Sequence, residues 1–173
     1  MMTLANNNSD IEESYVHRQE AAEDESSVGV LVVDDDRAIR ETLRFMLEDA
    51  DYAVSDAPDG MAALDILRAS RRPLVVLLDL MMPRLDGAGV LRAVGADKRL
   101  ATAHAYIVVT ANLQAFTPAL TSLLSCVDAE ILRKPFDIDV LLDQVDRAAR
   151  RLSTNERDSG GPGSSLSGHP LYH

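Results

Sequence analysis

The chain has 173 residues, of which 46% are apolar, and a formal net charge of −11. At roughly one domain per 100 to 200 residues, this length predicts a single folded domain. No apolar run approaches the ~20 residues that a membrane-spanning helix needs. The acidic balance, without a basic stripe, argues against direct binding to nucleic acid.

Composition divides the chain into three parts. Residues 1–27 are polar and hold seven acidic side chains against one arginine. They cannot bury enough apolar surface to offset the entropy lost on ordering, so we expect a disordered acidic arm. Residues 153–173 are rich in glycine, serine and proline, which predicts a flexible tail. The folded domain is therefore expected over residues 28–152, with no second domain after it.

The cysteine content and the first residues of the chain indicate the compartment in which the protein is expected. Cys126 is the single cysteine, and a chain that cannot form an internal disulfide suits a reducing compartment. The chain does not open on a basic segment followed by an apolar one, as a secretion signal would. We therefore expect a cytoplasmic protein with no membrane attachment. No motif surrounds Cys126, so we expect it to be a small core residue rather than a nucleophile.

Between the predicted acidic arm and the predicted tail, strand-like segments alternate with helix-like segments. Short apolar runs predict strands at residues 28–33, 52–55, 74–78, 105–109 and 130–133. Apolar residues at helical spacing predict helices around residues 39–47, 61–67, 90–94, 120–124 and 138–152. Five such units predict an α/β fold with a parallel sheet, helices on both faces and right-handed crossovers.

Polar residues follow the strands of this predicted sheet. Ligand sites in such folds lie at the carboxyl ends of the strands. The residues found there are Asp34, Asp35, Asp36, Asp79, Thr110 and Lys134. Asp36 also precedes a helix and is expected to be its N-cap. We expect the other carboxylates, the hydroxyl and the ammonium group to converge on one edge of the sheet.

The chemistry of this set points to phosphoryl transfer. Crowded carboxylates repel one another unless a cation lies among them, and oxygen ligands select a hard ion such as Mg²⁺. Mg²⁺ beside a carboxylate can orient a phosphoryl donor and neutralise its charge. Asp79, alone after four aliphatic residues, would then be the nucleophile that forms an aspartyl phosphate. Lys134 and Thr110 would donate to the other phosphoryl oxygens.

Four stretches of the chain carry a family resemblance. They are Leu-Val-Val-Asp-Asp-Asp at 31–36, Leu-Asp-Leu-Met-Met-Pro at 78–83 followed by Asp86-Gly87, Val-Val-Thr-Ala at 108–111 and Lys-Pro-Phe at 134–136. In order and spacing they resemble the response-regulator receiver domain of two-component signalling, the family of the bacterial chemotaxis regulator. The resemblance covers about residues 28–152. It implies a flavodoxin-like (βα)5 doubly wound sheet with strand order 2-1-3-4-5.

The resemblance also implies roles for individual residues. Asp34 and Asp35 would bind Mg²⁺ together with Asp79 and the backbone carbonyl of Met81. Asp79 would accept phosphate from a sensor histidine kinase or a histidine phosphotransfer protein. Two further residues are implied in the site, Thr110 as the switch hydroxyl and Lys134 as the phosphate contact.

With these roles the chain would not be an enzyme. It would be a stand-alone response regulator, a monomer or weak homodimer that signals through contacts with an unknown protein target.

One departure and two alternatives stay open. Family members often carry tyrosine or phenylalanine three residues before the lysine, where this chain has Ile131, so the usual aromatic switch is absent. The first alternative is therefore a receiver fold that binds partners independently of phosphate. The second is a Mg²⁺-dependent phosphatase, since Asp34-x-Asp36 resembles the Asp-x-Asp of haloacid-dehalogenase-like enzymes. That family expects threonine or valine where this chain has Ala38.

Overall fold

A computed structural model describes residues 27–111 and 117–159. Residues 1–26 of the predicted acidic arm and residues 160–173 of the predicted tail lie outside the described residues. Within the described ranges, none of the helices combines the length and apolar character that crossing a bilayer requires.

Each strand of the described chain is followed by one helix, except the third, which is followed by two. The strands are β1 Gly29–Val33, β2 Val54–Ala57, β3 Leu74–Asp79, β4 Ala105–Thr110 and β5 Glu130–Arg133. The helices are α1 Arg37–Asp49, α2 Gly60–Ala69, α3 Gly87–Gly95, α4 Lys98–Ala103, α5 Pro118–Cys126 and α6 Ile138–Ser159.

The five strands form one parallel sheet in the order β2-β1-β3-β4-β5. This confirms the predicted flavodoxin-like fold. In the register, Val33 of β1 lies opposite Leu78 of β3, and Asp79 lies opposite Val109 of β4. The carboxyl ends of the central strands are therefore level, and the residues that follow them meet at one edge.

Apolar side chains pack on both faces of the sheet. Alternate residues of β1 point to opposite sides: Leu31 and Val33 join the core beneath α2, α3 and α5, whereas Val30 and Val32 join the core beneath α1 and α6. Because both faces are covered, the central strands are continuous aliphatic runs rather than alternating ones. The runs that predicted buried strands are thus explained by the two-sided core.

Two elements of the structure differ from the predictions made from the sequence. Helix α4 was not predicted, because Leu100 is its one buried side chain and gives no helical period. Strand β2 begins at Val54, two residues later than predicted. Tyr52, which suggested the earlier start, instead packs against the core on the α6 side and donates from its hydroxyl to Asp146 at 2.6 Å.

Two further predictions were wrong near the α5 and α6 ends. Cys126 is exposed, and the neighbouring Val127 is the buried residue there. Helix α6 continues to Ser159, so residues 153–159 of the predicted tail are helical. The hydroxyls of Ser153 and Thr154 donate to backbone carbonyls four residues earlier, at 3.1 and 2.9 Å, which lets polar residues continue a helix.

A buried histidine at the opposite edge of the sheet predicts a pH dependence of stability. The Nδ1 atom of His104 accepts from the backbone N–H of Leu74 at 3.2 Å, and burial lowers the pKa of the imidazole. As pH falls, the unfolded chain binds a proton near the ordinary pKa of about 6.5, which is a higher pH than the folded chain requires. We therefore expect His104 to reduce the free energy of unfolding as pH falls below that value. Urea unfolding of wild type and His104→Asn from about pH 7.5 to about pH 5.5 measures this difference, and parallel pH profiles of the two proteins would contradict it.

Candidate functional site

Three carboxylates meet where β1 and β3 end. Asp34, Asp35 and Asp79 each offer an oxygen atom, and these atoms lie within 4.8 Å of one another. Asp34 is buried at 4% exposure, the Asp79 side chain is 13% exposed, and Asp35 is exposed. The cluster is therefore open to solvent on one side.

Asp34 is fixed by two hydrogen bonds. Its Oδ1 accepts from the backbone N–H of Asp36 at 2.9 Å, and its Oδ2 accepts from Nζ of Lys134 at 2.9 Å. The third acidic residue of the run has a separate role, because the Asp36 side chain accepts from the N–H groups of Ala38 and Ile39. The predicted N-cap at Asp36 is thus confirmed.

Asp79 lies in a partly desolvated position between unlike charges. Burial raises the pKa of the Asp79 carboxyl, the nearby Lys134 ammonium opposes that rise, and the Asp34 carboxylate adds to it. Nζ of Lys134 is 3.8 Å from Oδ1 of Asp79. A single ammonium group therefore serves two carboxylates, and it leaves the cluster short of positive charge.

The residues from β4 and β5 complete this edge. Thr110 is fully buried at the end of β4, and its backbone carbonyl accepts from the N–H of Lys134 at 2.9 Å. This hydrogen bond connects Lys134, the first residue after β5, to the end of β4. The structure thus brings the predicted hydroxyl and ammonium residues to the edge that carries the carboxylates.

The donor set suits Mg²⁺. All the candidate ligand atoms of the cluster are carboxylate oxygens, which hard cations prefer. The solvent-facing side leaves room for the waters that Mg²⁺ retains. The raised pKa of Asp79 also marks a site where a divalent cation would relieve repulsion. The Met81 side chain is 63% exposed, and the metal-ligand role of its carbonyl stays a prediction.

The loop after Asp79 is held by close backbone packing at Gly87. The N–H of Gly87 donates to the carbonyl of Leu80 at 3.2 Å. A Cβ atom at Gly87 would lie 2.4 Å from the backbone oxygen of Asp79 and 2.9 Å from Cα of Leu80. None of the described glycines has a positive φ, so the requirement for glycine here is steric. The Asp86-Gly87 pair of the sequence motif is explained by this contact.

Two residues that sequence reasoning missed hold the far side of the same loop. Arg84 donates from Nε to Oδ2 of Asp59 at 2.9 Å, and its φ is 67°. Asp59 is buried and is the N-cap of α2. Its pKa is lowered, mainly by the hydrogen bond from the N–H of Ala62 and next by the one from Arg84. Asp59-Gly60 resembles an ordinary turn in the sequence, so only its proximity to Arg84 in space reveals the pair.

Ile131 lies on β5 with 42% of its surface exposed. Val140 on α6 is likewise 48% exposed. The departure from the usual aromatic residue therefore leaves an aliphatic side chain at the surface.

A profile of the family described as the response regulator receiver domain matches residues 30–146. The chain belongs to this family. Receiver domains are signalling modules that bind Mg²⁺ at an acidic pocket and take phosphoryl groups from histidine kinases. The family resemblance found in the sequence is thus confirmed. The phosphatase alternative is disfavoured as well, because the second aspartate of its motif, Asp36, is used as a helix cap.

Curated relatives include response regulators of mycobacteria. Response regulator MprA of Mycobacterium sp. (strain KMS) is 41% identical over 135 residues, which are 75% of this chain and 54% of that protein. MprA of Mycobacterium tuberculosis (strain ATCC 25177 / H37Ra) is 42% identical over 131 residues, which are 72% of this chain and 52% of that protein. The receiver chain thus spans about half the length of the curated relatives it matches.

Solved structures include other receiver domains. A CheY-like receiver domain protein of Methanospirillum hungatei JF-1 superposes with a TM-score of 0.65 at 30% identity, covering 73% of this chain and 98% of that one. Chemotaxis protein CheY4 of Vibrio cholerae gives 0.60 at 29% identity, covering 70% and 98%. These similarities agree with the observed strand order.

The packing at Gly87 predicts a substitution effect with an internal control. Gly87→Ala must displace the backbone at Asp79, so we expect it to lower the free energy of unfolding by about 1–3 kcal/mol and to weaken Mg²⁺ binding. Gly95 lies in the same helix, and the nearest neighbour of a Cβ atom there would be Cys126 Sγ at 3.4 Å, an ordinary contact distance. Gly95→Ala should therefore leave both quantities unchanged or raise stability. Denaturant unfolding and Mg²⁺ titration test the pair, and equal tolerance of the two alanines would refute the steric role of Gly87.

Proposed function

We propose that the chain accepts a phosphoryl group on Asp79 in a Mg²⁺-dependent reaction and signals through contacts with another protein. The observation that carries the proposal is the shared Lys134 ammonium, 2.9 Å from Asp34 and 3.8 Å from Asp79. It supports Asp79 as the acceptor, because Lys134 lies where it can donate to an oxygen of a phosphoryl group carried by Asp79.

The proposed reaction is an in-line displacement at phosphorus. A carboxylate oxygen of Asp79 forms the new P–O bond, and the P–N bond of a phosphohistidine breaks. The electron pair returns to the imidazole, which takes up a proton. Asp34, Asp35 and Asp79, with the carbonyl of Met81, would hold Mg²⁺, which would neutralise part of the phosphoryl charge.

The chain's own residues have distinct roles in this scheme. Lys134 donates to one phosphoryl oxygen and compensates the charge that the acyl phosphate brings. Thr110 offers its hydroxyl to another oxygen at the end of β4. Gly87 keeps the backbone of Asp79 in place for the attack.

The partners follow from the chemistry of the donor. A sensor histidine kinase or a histidine phosphotransfer protein would supply the phosphoryl group, and an unidentified protein would bind the phosphorylated form. Operation without an attached effector, the cytoplasmic location and the absence of direct nucleic-acid binding stay predictions.

A receiver fold that binds partners without phosphate is the second candidate. The exposed Ile131, in place of an aromatic switch residue, favours it. It predicts the same affinity for a partner before and after treatment with a phosphodonor.

Acetyl phosphate separates the two candidates. We expect intact-mass spectrometry to show one phosphoryl adduct on wild type with Mg²⁺, none without Mg²⁺ and none on Asp79→Asn. Asp79→Asn should stay folded, because it removes one of several crowded carboxylates. The matched control is Asp36→Asn, which keeps a helix-capping side chain and should still form the adduct. A folded, Mg²⁺-binding wild-type protein without an adduct, or an Asp79→Asn protein that still gains one, would contradict the proposal.

A further inference from the structure

Residues 34–36, which connect β1 to α1, form an acidic loop, and the carbonyls of all three accept hydrogen bonds from one residue. Nη1 of Arg40 donates to the carbonyl oxygen of Asp34 at 2.8 Å and to that of Asp35 at 3.2 Å. The backbone N–H of Arg40 donates to the carbonyl of Asp36 at 3.1 Å. The backbone that carries the two candidate metal ligands is therefore tied to a single residue of α1.

The other side of the same guanidinium group is anchored on the sheet. Nε of Arg40 donates to Oδ2 of Asp56 in β2 at 3.0 Å. The Arg40 side chain is only 13% exposed, and Asp56 also forms an ion pair with Arg44. Arg40 thus spans from an edge strand to the acidic loop in a partly buried position.

This geometry needs the shape of an arginine. A guanidinium presents several donors in a fixed planar fork, so it can bind a carboxylate on one side and carbonyls on the other. An ammonium group is a compact point charge on a flexible stem. Lysine would therefore keep the charge of position 40 but lose the bridge between Asp56 and the loop.

We propose that Arg40 is a positioning residue for the metal site: anchored by Asp56, it fixes the backbone from which the carboxylates of Asp34 and Asp35 project. The inference rests on the proposed function, because it assigns Arg40 a role in Mg²⁺ binding. Arg40 contacts the carbonyls of these residues, so it acts on the metal through them.

The direction in which Mg²⁺ affinity changes on substitution of Arg40 distinguishes a positioning role from a purely electrostatic one. A positive side chain near the cluster repels Mg²⁺, so a purely electrostatic role predicts that its neutralisation tightens binding. A positioning role predicts the opposite, since misplaced ligands bind more weakly. Loss of a group that orients metal ligands typically costs about 10- to 100-fold in affinity.

Calorimetric titration with MgCl₂ of the full chain tests the inference. We expect Arg40→Gln and Arg40→Lys both to raise the dissociation constant by about 10-fold or more. Arg44→Gln is the matched control, because Arg44 pairs with the same Asp56, whereas the loop carbonyls of Asp34 and Asp35 accept from Arg40. It should keep the affinity of wild type. Asp56→Asn, which loosens the anchor, should lie between.

A second readout needs no metal. The N–H of Asp36 donates to Asp34 Oδ1, so its hydrogen exchange reports on the order of the loop. Exchange of this amide in metal-free protein should be faster in Arg40→Gln than in Arg44→Gln. Should Arg40→Gln fail to fold, Arg40→Lys and Asp56→Asn carry the same comparison.

Unchanged or tighter Mg²⁺ binding by folded Arg40 variants would overturn the inference, as would an equal loss in Arg44→Gln. Wild type that binds no Mg²⁺ would overturn it as well. The proposed function fails separately: wild-type protein that binds Mg²⁺ without forming the Asp79 adduct excludes phosphoryl acceptance and leaves the Mg²⁺ comparison intact.

Discussion

Repulsion among three carboxylates is the constraint on which this site depends. Asp34, Asp35 and Asp79 are held with ligand atoms within 4.8 Å of one another, and Lys134 reaches two of them. Burial and the Asp34 charge keep the pKa of Asp79 raised in spite of that ammonium. Crowded carboxylates repel one another, and a divalent cation bound among them would relieve that repulsion. The rest of the fold holds the charges in place against this repulsion.

The fold does so with contacts that are mostly to the backbone. The register of the parallel sheet sets the ends of β1 and β3 level, and the close approach at Gly87 fixes the chain just after Asp79. Arg40 binds the carbonyls of the acidic loop from the side of β2. Because these restraints act on main-chain atoms, they set where the carboxylates project without using the carboxylate oxygens themselves. Rigid scaffolding of this kind is what a preorganised site requires.

Sequence reasoning reached the fold and the chemical groups of the site because both leave local signals. Buried parallel strands appear as continuous aliphatic runs, and the polar residue that ends each run marks the edge of the sheet. The restraints that orient those groups leave no such signal. Arg40 and Arg84 resemble solvated surface arginines until folding brings them to Asp56 and Asp59. Helix α4 was missed for a related reason, since one buried leucine in six residues has no period.

The most direct measurement follows the Asp79 carboxyl carbon by NMR through a pH titration, with and without Mg²⁺. We predict a pKa above the ordinary value of about 4 in the metal-free protein and a much lower one when Mg²⁺ is present, because the cation replaces repulsion with attraction. A pKa that Mg²⁺ does not move, or one already depressed without it, would contradict the claim that the three carboxylates form a cation site.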